Sequence, residues 1–252
     1  MRILISNDDG INADGIIILE NVVKNLSDDI YVVAPDSNRT GAGHSMTIAN
    51  PIRVYKHDDR HYSVNGSPTD SVVMAMYNVM STKPDYVLSG INCDANLAED
   101  ISYSGTIGAA LEGSIIGVPS IALSQKIRLN EDIDWSVSKK FCLDVLKHIF
   151  AKVSIPEYTI LNINFPSVCV DDVKGVRITK QGKRVVQNEL VESIDPWGNS
   201  YFWRGVGHYR HTDNNSDIET DLGAVNAGYI SITPIAVDMT CYALIDKLRE
   251  IF

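Results

Sequence analysis

Arg2-Ile3-Leu4-Ile5-Ser6-Asn7-Asp8-Asp9-Gly10 sets the reading of the whole chain. Arg2 to Ser6 is a short apolar run of the length of a strand buried on both faces, and Asn7 to Gly10 is a cluster of turn formers. Beyond the turn, Ile16, Ile17, Leu19, Val22, Val23 and Leu26 recur at helical spacing. Ile30 to Ala34 is a second apolar strand, ended by Pro35. The same alternation continues. Ser67-Pro68-Thr69-Asp70 has the form of a helix start, with Ser67 as N-cap, Pro68 at the first helical position and Asp70 closing a capping box. Val72, Val73, Met76, Val79 and Met80 extend that helix. Tyr86 to Ser89 is a third strand, Thr106 to Ile116 a further helix, and Pro119 to Leu123 a strand after Gly117. Strand and helix in alternation specify an α/β fold, a doubly wound and mostly parallel sheet with helices on both faces.

From about Ile127 the rhythm loosens. A helix is expected over Trp135 to Lys152, with strands at Thr159 to Asn164 and Gly175 to Thr179. The aromatic stretch Trp197 to Trp203 contains Gly198-Asn199, residues that accept the positive φ of a hairpin turn. Ala227 to Pro234 is expected to end as a strand, and Asp238 to Phe252 to close the chain as a helix. The expected organisation is a core over residues 1–126 that carries the site. Residues 127–252 are expected as an extension with a β-hairpin and a terminal helix that completes the sheet and makes oligomer contacts, the whole being a single domain.

The 252 residues are 44% hydrophobic and 21% charged, with a formal net charge of −10. That charge argues against a nucleic-acid polymer as main ligand, and leaves room for a small anion where a metal or a ring of donors offsets the repulsion. No run approaches the ~20 apolar residues of a membrane helix, so no membrane partner is expected. The first residues run straight into a strand pattern, so no signal peptide is expected, and Cys93, Cys142, Cys169 and Cys241 are widely spaced. Both features point to reduced thiols in the cytoplasm.

In an open parallel sheet, ligands gather beyond the carboxyl ends of the strands. Asp8 and Asp9 follow the first strand. Asp36, Asn38, Arg39 and Thr40 follow the second, and Gly90, Asn92 and Asn96 the third. Carboxylates with amide and hydroxyl oxygens make a hard site suited to Mg²⁺ or Mn²⁺. Taken alone, Asp8-Asp9-Gly10 is equally a capped turn. Ser104-Gly105-Thr106 stands before a helix, where free N–H groups form a phosphate cradle or where Ser104 is simply a cap. Arg39 suits a phosphate or Asp36 alike. His44 is the histidine nearest these loops; His57, His61, His148, His208 and His211 are expected at the surface.

Ile3 through Gly10, Ala34-Pro35-Asp36-Ser37-Asn38-Arg39-Thr40-Gly41, Ser89-Gly90-Ile91-Asn92 and Tyr103-Ser104-Gly105-Thr106 together resemble the SurE family of stationary-phase survival proteins and 5′-nucleotidases. Asp195 to Asn199, Thr220-Asp221 and Gly228 to Pro234 carry the resemblance almost to the end of the chain. It implies a Rossmann-like core, one divalent metal per subunit, hydrolysis of nucleoside monophosphates, and a homodimer or homotetramer. Further substrates implied are 3′-nucleotides and short polyphosphate. It places the metal on Asp8, Asp9, Thr40 and Asn92, makes Asp8 and Asp9 the catalytic pair, and leaves Asn96, Ser104, Gly105 and Thr106 to the phosphate. The chain departs from the family pattern in Thr40 for serine, Ser67 for threonine, His44 for a small polar residue, and Asp94, Ala95 and Ala98 in a loop otherwise richer in Gly and Pro. Two other functions bear on the same residues. A dinucleotide-dependent oxidoreductase would need Gly-x-Gly-x-x-Gly after a strand, where this chain has Asn7-Asp8-Asp9-Gly10. A non-catalytic nucleotide-binding stress-response module would share the site without turnover.

Overall fold

The computed structural model describes residues 1–128, 131–184, 190–204 and 217–252. Among them the strands are β1 (Arg2–Ser6), β2 (Asp29–Pro35), β3 (Val54–Lys56), β4 (His61–Val64), β5 (Tyr86–Cys93), β6 (Ser120–Gln125), β7 (Thr159–Phe165), β8 (Val176–Ile178), β9 (Leu190–Ile194), β10 (Ser200–Arg204) and β11 (Ile230–Ala236). The helices are α1 (Asp14–Val23), α2 (Pro68–Met74), α3 (Gly105–Ile115), α4 (Ser136–Lys152), α5 (Asp221–Asn226) and α6 (Tyr242–Arg249). Nine strands form one sheet in the order β3-β4-β2-β1-β5-β6-β7-β11-β8. The pairs β4–β2, β2–β1, β1–β5, β5–β6 and β6–β7 are parallel, while β3–β4 and β7–β11 are antiparallel. The sheet therefore draws strands from both halves of the chain.

Two apolar layers sandwich it. Ile3, Ile5, Leu88, Ile121 and Leu123 pack with Ile16, Leu19 and Val23 of α1 and Val145, Leu146 and Ile149 of α4. Leu4, Val33, Val64 and Val87 project to the other side and meet Val72, Ala75 and Met76 together with Ala109 of α3. The period-two alternation of β1 is thus split between two helical layers, the arrangement a doubly wound sheet requires. Burial of side chains such as these contributes about 1.5–3 kcal/mol each relative to exposure.

The capping box at α2 forms as read: Ser67 Oγ accepts from Asp70 N at 3.0 Å and the Asp70 carboxylate accepts from Ser67 N at 2.7 Å. The helix ends after seven residues, and a π-helical turn over Ala75–Val79 continues it. The hairpin also forms, with β9 and β10 antiparallel. Its turn is organised by Asp195, whose carboxylate accepts from Trp197 N and Asn199 N at 2.9 Å each. The terminal helix is shorter than its pattern. Asp238 accepts from Thr240 N at 2.8 Å, a local turn that competes with helix, and α6 begins only at Tyr242. The β3–β4 hairpin had no counterpart in the sequence reading.

β1 lies between β2 and β5, so the three loops that carry the candidate ligands leave adjacent strands. Ile5 pairs with Val32 and Ser6 with Ser89, which brings the three carboxyl ends to nearly one level.

Candidate active site

The loop after β1 is a side-chain-closed turn. Asn7 Nδ2 donates to Gly10 O at 2.9 Å and Asn7 Oδ1 accepts from Gly10 N at 3.1 Å. Gly10 takes a φ of +106°, which favours glycine, and Ile11 N then bonds Pro35 O of β2 at 2.9 Å. The turn presents Asp8 and Asp9 to different neighbours.

Asp8 is 3% exposed. Its Oδ1 accepts from Thr106 Oγ1 at 2.5 Å, its carboxylate also takes the Gly105 N–H, and its main-chain oxygen accepts from Arg39 N at 2.7 Å. Gly105 is what allows this approach: a Cβ there would lie 2.7 Å from Asp8 Cβ and 2.9 Å from Pro68 Cγ. Burial pushes the Asp8 carboxyl up to about 6 and the charge of Asp9 adds to the rise, while the Thr106 hydrogen bond opposes both. Asp9 Oδ2 accepts from Cys93 N at 3.2 Å, and burial raises its carboxyl as well. The first loop thus touches the loops after β2 and β5 and the start of α3.

In the second loop Thr40 is exposed, and its N–H donates to Asn38 Oδ1 at 2.7 Å in an Asx turn. Of the two partners considered for Arg39, the structure shows Asp36, at 3.4 Å, together with Asn65 O at 3.2 Å. The third loop leaves β5 after its register against β6 shifts between Ser89 and Asn92, a bulge that re-aims the residues following it. Asn92 Nδ2 donates to Asp94 O at 2.7 Å, leaving the amide oxygen, the atom a hard cation takes. Asn96 is buried further along the same loop, its Nδ2 bonded to Ser124 Oγ at 2.9 Å.

Ser104 is the N-cap of α3, its Oγ accepting from Ile107 N at 3.1 Å. Gly105 and Thr106 stand at the helix start, and in this structure the Gly105 N–H and the Thr106 hydroxyl both serve Asp8. Asp8 therefore occupies the positive end of α3. Sequence reasoning had these groups turned to a ligand; the contact spans 98 positions, and no local signal announces it. His57 and His61, expected at the surface, each have a side-chain partner. In the structure His57 bonds Ser63 Oγ at 2.9 Å, and His61 lies 2.9 Å from Asp58 and 3.1 Å from Glu20. His44 pairs with Glu112 on α3 at 2.9 Å. His208 and His211 lie outside the described residues. All four cysteines are free, with burial raising Cys93 to about 11 and Cys142 to about 12.

Among the described residues no three His, Cys, Asp or Glu side chains converge. A cation would therefore rest on two carboxylates and neutral oxygens, a donor set that fits Mg²⁺ or Mn²⁺ rather than Zn²⁺. The burial of Asp8 fits it too, since two adjacent carboxylates held away from water need a compensating charge. Directly beneath, the hydroxyls of Ser6 and Ser89, paired in register, are buried without a partner among the described residues. Buried polar atoms of this kind are uncommon and cluster where ions and ligands bind.

An acidic crevice at the carboxyl ends of three adjacent strands, with a helix start facing it, defines a doubly wound α/β protein of the ligand-binding kind. Residues 3–188 match the family model described as survival protein SurE, and the chain belongs to that family. It is 46% identical over 241 residues to the 5′-nucleotidase SurE of Paramagnetospirillum magneticum, covering 95% of this chain and 91% of the relative. It is 42% identical over 255 residues to the 5′-nucleotidase SurE of Chelativorans sp., covering 99% of each. The crystal structure of the SurE protein from Aquifex aeolicus superposes with a TM-score of 0.83 at 38% identity, over 100% of this chain and 99% of that one.

Proposed function

We propose that the protein is a metal-dependent 5′-nucleotidase that hydrolyses nucleoside monophosphates to nucleoside and phosphate. Nucleotidase function goes with the family, since relatives matching almost end to end carry that name. Asp8, Asp9, Thr40 and Asn92 hold one Mg²⁺ or Mn²⁺ per subunit; Asn96 and the start of α3 (Ser104, Gly105 and Thr106) line the phosphate side of the site, Gly105 and Thr106 acting there through their hold on Asp8. The observation that carries the reading is Asp8, a carboxylate 3% exposed and drawn onto the N-terminus of α3 beside a second carboxylate. Without a cation this arrangement repels a phosphate; with one it attracts it. The cation, when bound, supplies positive charge against the phosphoryl oxygens and makes water a stronger nucleophile. The protein's own residues do the rest. Thr106 and Gly105 fix the Asp8 carboxylate, the Cys93 N–H fixes Asp9, and Asn96 offers an amide N–H to a phosphate oxygen. Asp8 and Asp9 also orient the attacking water. 3′-Nucleotides and short polyphosphate, which present the same terminal phosphate, are further substrates of this reading.

The protein acts in the cytoplasm as a homodimer or homotetramer, with residues 127–252 supplying the contacts and residues 1–126 the site. The hairpin supports this assembly: Trp197, Tyr201, Phe202 and Trp203 are all exposed around one turn, and aromatic groups are enriched at interfaces. Among the described residues no helix is long and apolar enough to cross a membrane. Release of phosphate from AMP, with Mn²⁺ and then with excess EDTA, tests the function. Release that stops with the chelator is expected. Tight AMP binding without release would instead identify a nucleotide-binding stress-response module.

A further inference from the structure

The loop over residues 94–98, which carries Asn96, is held in a disfavoured shape. Asp94 and Ala98 have φ values of +94° and +53°, left-handed backbone that side-chain-bearing residues rarely adopt. Such geometry persists only where surrounding structure over-determines it. The constraint comes largely from two residues of β7. Asn96 N donates to Asn164 Oδ1 at 2.8 Å, and Asn96 O accepts from Asn162 Nδ2 at 2.8 Å and Asn164 Nδ2 at 3.3 Å. Asn164 Nδ2 also donates to Asn162 Oδ1 at 3.2 Å, which ties the pair together. The orientations of the Asn164 and Asn162 amides follow from one fact: the Asn96 N–H is a donor, so its partner on Asn164 is the oxygen, and the Asn164 nitrogen then meets the oxygen of Asn162. Further along, Ala98 N donates to Asp221 Oδ2 at 3.0 Å and Ala98 O accepts from Gln181 Nε2 at 2.8 Å.

Asn162 and Asn164 lie two positions apart in a strand and so on one face of the sheet, and both are 0% exposed. Ile160, the preceding residue on that face, packs with Ile107 and Leu111 of α3 in the ordinary way. Asparagine is depleted in strands, and an amide buried without partners is unfavourable. Apolar residues would fill the two positions at less risk. What the asparagines supply is a complete set of hydrogen bonds to the main chain of one residue, the residue whose side chain faces the phosphate in the function proposed above.

We propose that Asn162 and Asn164 are positioning residues for phosphate binding, acting by clamping the main chain of Asn96; this rests on Asn96 being a phosphate contact. With its main chain held and one amide hydrogen given to Ser124, Asn96 has a single N–H left at a set place. A free loop would have to order that donor on each binding event, so the clamp lowers the entropy loss of phosphate capture.

The test is calorimetric titration of inorganic phosphate into the full-length protein saturated with Mn²⁺, alongside kcat and KM for AMP. The variants are Asn96→Ala, Asn162→Ala, Asn164→Ala, Asn164→Asp, and Asn96→Ala combined with Asn164→Ala. Asn164→Ala removes two of the three bonds to the Asn96 main chain and weakens phosphate binding about tenfold, the scale on which supporting partners of a site act. KM for AMP rises in step, and the Mn²⁺ titration midpoint stays put. Asn162→Ala, losing one bond, has a smaller effect in the same direction. The double variant binds phosphate no more weakly than Asn96→Ala alone. Wild-type phosphate affinity in Asn164→Ala, or additive losses in the double variant, would overturn the positioning role while leaving Asn96 as a contact. Where Asn164→Ala fails to fold by circular dichroism, Asn164→Asp keeps the shape and the acceptor for Asn96 N but loses the donor to Asn96 O and Asn162; phosphate binding weakened there supports the clamp, and wild-type affinity overturns it. Phosphate affinity unchanged in Asn96→Ala, or no phosphate binding by wild type, would overturn the phosphate reading of Asn96 and the clamp with it.

Discussion

The crevice around Asp8 and the hairpin of β9 and β10 are opposite solutions for side chains that do not suit their surroundings. At the crevice polar groups are buried, and each acquires partners from distant parts of the chain: Asp8 from Thr106 and Arg39, Asp9 from Cys93, Asn96 from Asn162 and Asn164. At the hairpin apolar groups are exposed, with Trp197 at 84% and Trp203 at 64%, and α6 buries none of its residues. Burying charge is unfavourable unless something compensates it, and so is leaving aromatic surface in water. In the function proposed above, the first region seats a cation and phosphate and the second meets another copy of the chain.

If that contrast holds, damage at the crevice abolishes chemistry and damage at the hairpin abolishes assembly. The largest effect is expected from Asp8→Asn and Asp9→Asn, each lowering the rate of AMP hydrolysis by about 100-fold or more, with far-UV circular dichroism unchanged. Full activity in either variant would remove the carboxylates from the mechanism. Gly105→Ala comes next, because its Cβ would press on Asp8 Cβ and Pro68 Cγ at 2.7 and 2.9 Å. Activity should fall at least tenfold and stability by about 1–3 kcal/mol in urea melts. A wild-type rate there would mean the fit of Asp8 against α3 is immaterial.

Thr40 separates a ligand from a turn residue. Thr40→Ser keeps the oxygen and should keep activity, whereas Thr40→Val keeps the shape and should raise the Mn²⁺ needed for half-maximal rate by about tenfold. An unshifted Mn²⁺ curve in the valine variant would leave Thr40 only its Asx turn. At the hairpin, Trp197→Ser with Trp203→Ser should bring the mass seen by light scattering down to the 27.8 kDa of one chain. A wild-type protein already at that mass would break the comparison from the other side.

The smallest expected effect is on stability without metal. The Asp8 carboxyl is raised from 3.8 to about 6 in the folded state, so the folded protein holds that proton more tightly than the unfolded chain. Its stabilising contribution is full below pH 3.8 and is lost as pH rises through about 6. With EDTA present, wild type should lose up to about 3 kcal/mol across that window relative to Asp8→Asn. Parallel urea-melt profiles for the two proteins would contradict the burial of an uncompensated carboxylate.

Much of this was legible in the chain itself. β1, β2, β5 and β6 could be read because strands buried on both faces are continuous apolar runs bounded by turn formers. The start of α2 could be read because a capping box is a local pattern. β3 and β4 could not: they have three and four residues, include Lys56 and His61, and hold no periodicity. At the site, position in the chain revealed which loops meet, since adjacency of β2, β1 and β5 follows from the doubly wound topology. It did not reveal that Thr106 serves Asp8 or that Asn162 and Asn164 hold Asn96, contacts across 98, 66 and 68 positions. Asn162-Ile163-Asn164 did carry a signal, two amides inside a strand pattern, and its meaning lay in a loop the strand pattern does not contain.

The central claim is that Asp8, buried at the start of α3, is compensated by a divalent cation. Isothermal titration of Mn²⁺ into metal-free wild type and Asp8→Asn at pH 7, without nucleotide, tests it directly. One Mn²⁺ per chain in wild type, with binding weakened at least 100-fold or lost in Asp8→Asn, is the expected result. Equal Mn²⁺ affinity in the two proteins, or no binding to wild type, would contradict it.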